Sequence, residues 1–361
     1  MNRKTLLSTG LLLVAINCAA QWTWHNPLSD KGRPERVVLN QGWNEDGGNY
    51  RRLPLRAKGK VRDKVWNLAG ESAGLAIRFL TDAEDIRVKY TVTGGYSMPH
   101  MPSTGVSGVD LYRDSDWAFC FGDYSFGDTI CYSYRVDRPS ATGHMQQYTL
   151  YLPLYNGVKQ MEIGVPDGKR LTFAEADNKR PMLLYGTSIA QGACASRPGM
   201  AWGNILGRLM ERPLVNLGFS GNGKLEPEVI GFINEQDACV YIIDCMANLT
   251  DRSSGEIKEL VIKAVRQIRS SHGAPILLVE HAGYSNGVSN QAQYDAYQHA
   301  NEAQAEAYAE LKREGVKQLF YLSRKQIGMS PDAWVDYVHP SDLGQQTQAE
   351  AVARTLKKIL K

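Results

Sequence analysis

The chain contains no run of five or more like charges, no apolar stretch beyond its first twenty residues long enough to cross a membrane, and no C-x-x-C pair. The first absence argues against nucleic acid or an anionic membrane surface as the main partner, because both are bound through concentrated positive charge. The second argues against a membrane span, which needs about 20 consecutive apolar residues. The third removes a common zinc-ligating pattern, and neither a metal nor a cofactor is expected. Charge is also scarce in net terms, with 41 Lys and Arg against 38 Asp and Glu in 361 residues. Neutral small molecules or oligosaccharides suit that balance better than polyanions.

The one concentrated apolar run stands at the start. Arg3 and Lys4 precede Leu6 to Ala15, and Cys18-Ala19-Ala20 supplies the small residues a signal peptidase reads. Residues 1–20 are therefore expected to be a signal peptide cleaved before Gln21, giving a periplasmic or extracellular protein. Cys18 leaves a lipid anchor open, although Asn17 occupies a position where a small residue is expected. Loss of Arg3 and Lys4 brings the balance to 39 basic against 38 acidic residues. Of six cysteines, removal of Cys18 leaves five, so an oxidising compartment leaves at least one thiol free. Cys120 and Cys131 are spaced to bridge a hairpin, whereas Cys239 and Cys245 flank a strand and read as small buried hydrophobes.

Two rhythms divide the remaining chain. From Val37 to Phe173, Ala76–Leu80, Ile86–Val92, Tyr148–Leu152 and Val158–Val165 alternate apolar and polar residues between Gly, Asp, Asn and Pro, the pattern of antiparallel strands with one wet face. No useful helical period interrupts them, which predicts a β-sandwich or jelly roll over 21–175. After the polar stretch Ala174–Pro181, short apolar strands at Met182–Tyr185, Pro213–Leu217, Cys239–Asp244, Pro275–Val279 and Leu319–Leu322 are followed by helical segments such as Gly255–Ser270 and Gln291–Arg313. This alternation predicts a doubly wound, five-stranded parallel α/β sheet over 176–361, with ligands at the carboxyl ends of its strands.

Polar clusters fall at those ends. Ser188 follows the first strand; Ser is also a favoured helix N-cap, and Ala190 breaks the G-x-S-x-G elbow. Asn216–Gly223 reads as a tight turn or as a source of backbone N–H donors, with Gly221 the candidate for an oxyanion. Asn248, beyond the third strand, is a turn former or a neutral side-chain donor, and Asp244 is placed to brace its loop. Asp336 and His339 precede the predicted last helix, Asp342–Leu360. A carboxylate three residues before an imidazole can orient it to activate a hydroxyl. His281 is the rival base, with only Glu280 beside it.

Taken in order, Gly186-Thr187-Ser188, Ser220-Gly221, Met246-Ala247-Asn248 and Asp336-x-x-His339 resemble the blocks of the SGNH (GDSL-type) hydrolases over about 181–358. Thr187 replaces the Asp of Gly-Asp-Ser, and Met246 the Gly of Gly-x-Asn. Gly108-Val109-Asp110-Leu111-Tyr112 resembles the Gly-x-Asp-Leu-Tyr segment of a β-rich domain that precedes one bacterial branch. The resemblance implies a flavodoxin-like fold and a serine esterase with Ser188, His339 and Asp336 as the triad. It places Ser188, Gly221 and Asn248 at the oxyanion hole and points to an acetylesterase acting on carbohydrate, with a lipase or arylesterase as the alternative. Trp202, Trp334 and Tyr337 suit sugar stacking or core filling. Trp117, Tyr124 and Tyr134 leave open a non-catalytic carbohydrate-binding protein. Because every proposed catalytic group lies beyond residue 181, the N-terminal half is expected to serve substrate choice rather than chemistry.

Overall fold

The computed structural model describes residues 21–44, 48–137 and 145–360. The expected signal peptide, with Cys18 and its cleavage point, lies outside the described residues. Two antiparallel sheets stack in the N-terminal half. One runs in the order Trp22–His25, Val158–Pro166, Asp85–Val92, Ile130–Arg135, Gly122–Ser125; the other in the order Leu171–Phe173, Ala76–Thr81, Gln146–Tyr151, Asp110–Arg113, Ala118–Cys120, with Val38–Leu39 paired to Ala76–Thr81. Their inward-facing Ile77, Phe79, Val88, Leu111, Leu150 and Ile163 share one apolar cluster, as period-2 patterning requires. Cys120 and Cys131 fall in different sheets and both are free, so the hairpin bridge is not formed.

The C-terminal half is the expected parallel sheet, its strands Leu214–Gly218, Met182–Gly186, Val240–Asp244, Ile276–Val279 and Leu319–Leu322 adjacent in that order. In sequence terms the order is 2-1-3-4-5, so the winding reverses beside the first strand, the place where sheets of this kind hold their ligands. Every residue of the first three strands is buried, which is why they read as continuous apolar runs. Helices Pro227–Ile233, Ser254–Arg269 and Gln291–Arg313 cover one face; Trp202–Leu209 and Asp342–Ile359 cover the other.

The division at residue 175 is not a clean cut in space. Helices Asp63–Leu68 and Ser103–Val106 interrupt the β-rich stretch, at six and four residues too short to leave a period in the sequence. Trp43, Leu53, Ala57, Val61, Val65 and Ala69 pack into the cluster that holds Leu183, Tyr185, Leu217 and Ile243 of the parallel sheet. Arg52 is the polar counterpart of that packing. Its buried guanidinium donates to the carbonyls of Leu68 at 2.7 Å, Glu71 at 2.9 Å and Gly218, and lies 5.0 Å from the Phe219 ring centre. Burial lowers its pKa to about 10, with Glu71 opposing, so it stays charged at neutral pH.

Replacing Arg52 by Met would leave the buried Gly218 carbonyl, the partly buried carbonyls of Leu68 and Glu71, and the Glu71 carboxylate without this cation. The expected cost is about 3 kcal/mol or more, read from the urea unfolding midpoint. A change below about 0.5 kcal/mol, the range of ordinary surface substitutions, would show that this cation does not join the two halves.

Candidate active site

The first parallel strand ends at Gly186, and Thr187 caps the short helix Ser188–Gln191 by accepting the Ile189 N–H at 3.3 Å. The capping role that the sequence left open for Ser188 thus falls to its neighbour. Ser188 Oγ stands 3.0 Å from His339 Nε2, and His339 Nδ1 stands 2.8 Å from Asp336 Oδ2. The other Asp336 oxygen accepts the N–H groups of Val338 at 2.8 Å and His339 at 2.6 Å. Partial burial works to raise the Asp336 pKa, but the bonds from the His339 ring and from these two N–H groups outweigh it and hold the carboxyl below its usual range. The turn that carries both residues is closed by Val335 N–H donating to His339 O at 2.9 Å.

The other two sequence-predicted groups converge on the same strand end. Asn248 Oδ1 accepts the Gly223 N–H at 3.0 Å, which fixes the carboxamide, and its NH₂ has no partner among the described residues. Gly221 turns at φ 66°, a conformation glycine adopts without penalty, and its N–H is likewise unpaired among the described residues. A Cβ at Gly223 would stand 2.2 Å from the Gly186 carbonyl, so this turn reaches the first strand only because residue 223 is glycine.

Two supporting residues, Gln191 and Tyr155, carried no sequence signal. Gln191, fully buried, accepts the Ser220 N–H at 3.0 Å and donates to Leu154 O at 3.1 Å and to the Glu71 carboxylate. Tyr155 OH donates to the Ser188 carbonyl at 3.2 Å. Glu71, Leu154 and Tyr155 all belong to the N-terminal half, which therefore touches the peptide segments that bear the site. The Gly-x-Asp-Leu-Tyr segment does the same from another side. Asp110 accepts from Arg197 Nη1 at 2.9 Å and from Gly199 N–H at 2.6 Å, and Arg197 Nη1 also donates to Tyr112 OH at 2.9 Å, while Leu111 fills the sandwich core.

Among the described residues His281, the rival base, makes no hydrogen bond to Ser188, whose hydroxyl meets His339 instead. It is buried, its Nδ1 accepts the Gly283 N–H at 2.9 Å, and burial with a contribution from Arg324 pushes its pKa down to about 3. Asp244 does not reach the Asn248 loop through its side chain; it accepts from Gln348 Nε2 at 3.0 Å in the buried interior. Trp202 and Tyr134 are core residues, whereas Tyr337 and Tyr124 are exposed and Trp334 is half-buried. Trp117 lines a cavity of about 690 Å³ together with Pro181 and Leu214, at the amino-terminal end of the parallel strands and away from Ser188. Cys245 is buried as expected, and Cys239 half-buried.

Known proteins share this geometry's framework. A model of the GDSL-like lipase/acylhydrolase family matches residues 179–357, and a model of the GxDLY N-terminus of SGNH-hydrolase-type esterases matches residues 22–171. A solved structure from Bacteroides ovatus, assigned to the GDSL-like lipases, is 31% identical over 94% of this chain and 98% of its own, with a TM-score of 0.84. The chain belongs to the GDSL-like lipase/acylhydrolase family. Two more distant structures share the fold of this hydrolase. One is the salicylyl-acyltransferase SsfX3 of a tetracycline biosynthetic pathway, 17% identical over 94% of this chain and 97% of its own with a TM-score of 0.72. The other is a family two carbohydrate esterase from Clostridium thermocellum, 13% identical over 79% and 92% with a TM-score of 0.54. No curated protein sequence matches the chain.

Asp244 gives this GDSL-family hydrolase a testable pH signature. Burial, opposed only by the Gln348 bond, raises its pKa to about 7 from an ordinary 3.8. Between about pH 4 and 7 the unfolded chain loses this proton while the folded chain keeps it, so the Asp244 contribution to stability falls as pH rises. Asp244→Asn removes that loss. Unfolding midpoints at pH 5 and pH 8 should therefore shift in the variant's favour at the higher pH, and a difference independent of pH would refute the assignment.

Proposed function

We propose that the protein is an exported serine esterase that removes acyl groups, acetyl above all, from carbohydrate. The observation that carries the reading is the unbroken relay from Ser188 through His339 to Asp336, at 3.0 and 2.8 Å, beside two donors left without partners among the described residues. Asp336 accepts from Nδ1–H and so keeps Nε2 free to take the Ser188 proton as Oγ attacks the ester carbonyl. The resulting oxyanion meets the N–H groups of Ser188 and Gly221 and the Asn248 NH₂. His339 then returns its proton to the leaving alcohol. Water, deprotonated by the same imidazole, releases the acid from the acyl-enzyme.

The preference for sugar rests on the rim. Tyr337, half exposed, lies between the two triad members and 5.5 Å from the Tyr284 ring, an aromatic pair suited to stack on a pyranose. A carbohydrate esterase shares the fold, which is compatible with this reading. The arylesterase or lipase alternative has its own support, because Val335 at 47% and Leu343 at 52% exposure flank the same loop. Acetate release from a panel of acetylated oligosaccharides, set against a series of p-nitrophenyl esters of rising chain length, separates the two. Turnover that climbs with chain length and is absent on acetylated sugars would overturn the carbohydrate reading.

Ser188→Ala should lower kcat on p-nitrophenyl acetate by on the order of 10⁴-fold or more while the protein stays folded, and His339→Ala should match it. Near-normal turnover in either would remove the serine mechanism. Asn248→Ala should lower kcat by about 10²–10³-fold with KM little changed, since this donor acts on charge that develops in the transition state. A change confined to KM would make Asn248 a substrate-binding residue instead.

A further inference from the structure

His100, Cys194, Asp336 and His339 each bring a potential metal-ligand atom into one cluster, all within 4.8 Å of one another. Two of these residues belong to the proposed triad, and the other two have no part in the mechanism above. His100 comes from the N-terminal half, in the turn between Met98 and Met101, where those two residues form an isolated bridge. Its ring lies over that of His339 with centroids 5.4 Å apart and planes 23° apart. Its ring nitrogens make no hydrogen bond among the described residues, although the side chain is half-buried. Cys194 is buried, and its backbone N–H donates to Pro340 O at 3.2 Å, which holds the thiol against the His339 turn.

We propose that these four residues form a site for a thiophilic divalent cation, for which Zn²⁺ is the probe, and that its occupation shuts the hydrolase down. Two imidazoles, a thiol and a carboxylate are the donor set that zinc and softer cations prefer over magnesium or calcium. Zinc bonds of about 2.0–2.3 Å place tetrahedral ligand atoms roughly 3.3–3.8 Å apart, so the cluster must contract by about 1 Å. His100, on a turn and with a ring that makes no hydrogen bond among the described residues, is the member able to make that movement. Cys194 must release its thiol proton to solvent, a proton that burial and the Asp336 charge otherwise retain by raising its pKa to about 12. A metal on Nε2 takes the lone pair that faces Ser188, and a metal on Nδ1 moves the ring proton to Nε2, which then has no lone pair to accept the Ser188 proton. In both cases the enzyme has no base.

The inhibitory part rests on the esterase reading, whereas the binding part does not, and the experiment keeps them apart. Zn²⁺ is titrated into the full chain in competition with a chromophoric chelator, and hydrolysis of p-nitrophenyl acetate is monitored in parallel. One equivalent should bind, with activity falling as the site fills and returning on addition of EDTA. His100→Ala and Cys194→Ser should each weaken binding at least about tenfold. Co²⁺ in place of Zn²⁺ should show a thiolate-to-metal charge-transfer absorption that Cys194→Ser abolishes. Failure to bind one equivalent below about 1 mM, or an affinity unchanged in both variants, overturns the site. Stoichiometric binding with both variants weakened, in a protein that hydrolyses no ester even without metal, would uphold the site and overturn the esterase reading.

Discussion

The buried carboxamide of Gln191 is the junction on which the site depends. Its oxygen accepts the Ser220 N–H, ahead of the turn that presents Gly221, and its nitrogen reaches Leu154 O and the Glu71 carboxylate in the N-terminal half. A side chain with no solvent exposure cannot exchange these partners for water, so the group is expensive to leave unpaired and has one satisfactory arrangement. The short helix that begins at Ser188, the turn that presents Gly221 and the sandwich are thereby fixed to one another. Preorganised donors depend on this kind of fixation, because a dipole that must rotate during reaction loses its advantage.

Two further contacts work in the same way. Arg52 places a cation under the carbonyl of Gly218 at the end of the second parallel strand, and Asp110 with Tyr112 grips Arg197 and Gly199 beyond Ser188. The Gly-x-Asp-Leu-Tyr segment thus has a physical account in this chain: Asp and Tyr clasp the hydrolase half, and Leu anchors the clasp in the sandwich core. Gly199 is needed because a Cβ there would lie 2.4 Å from the Tyr112 ring. The two halves are joined through buried polar groups as well as through apolar packing.

The family departures also find local explanations. Thr187, in place of Asp, still supplies a side-chain oxygen to cap the helix that begins at Ser188, and does so while fully buried, where an ionised carboxylate would be costly. Met246, in place of Gly, is buried in the same apolar cluster as Leu249 and leaves Asn248 held by Gly223. Neither change removes a polar group from the site.

Local pattern was enough for the architecture, because a strand or helix buried on one face writes its period into consecutive residues. The parallel strands emerge within about two residues of their expected bounds, and the Asp336-x-x-His339 pair is legible since three residues of one turn bring both groups together. What the sequence could not specify is any relation set by distance through space. Gln191 and Tyr155 look like ordinary residues of a helix and a loop until folding brings Ser220 and Ser188 beside them. His281 looks like a base until folding buries it, with Gly283 on Nδ1 and Ser188 paired to His339. Cys120 and Cys131 look like a pair until the sandwich assigns them to different sheets. Patterning acts through neighbours along the chain; pairing, protonation and the meeting of the two halves depend on burial, which only the tertiary structure decides.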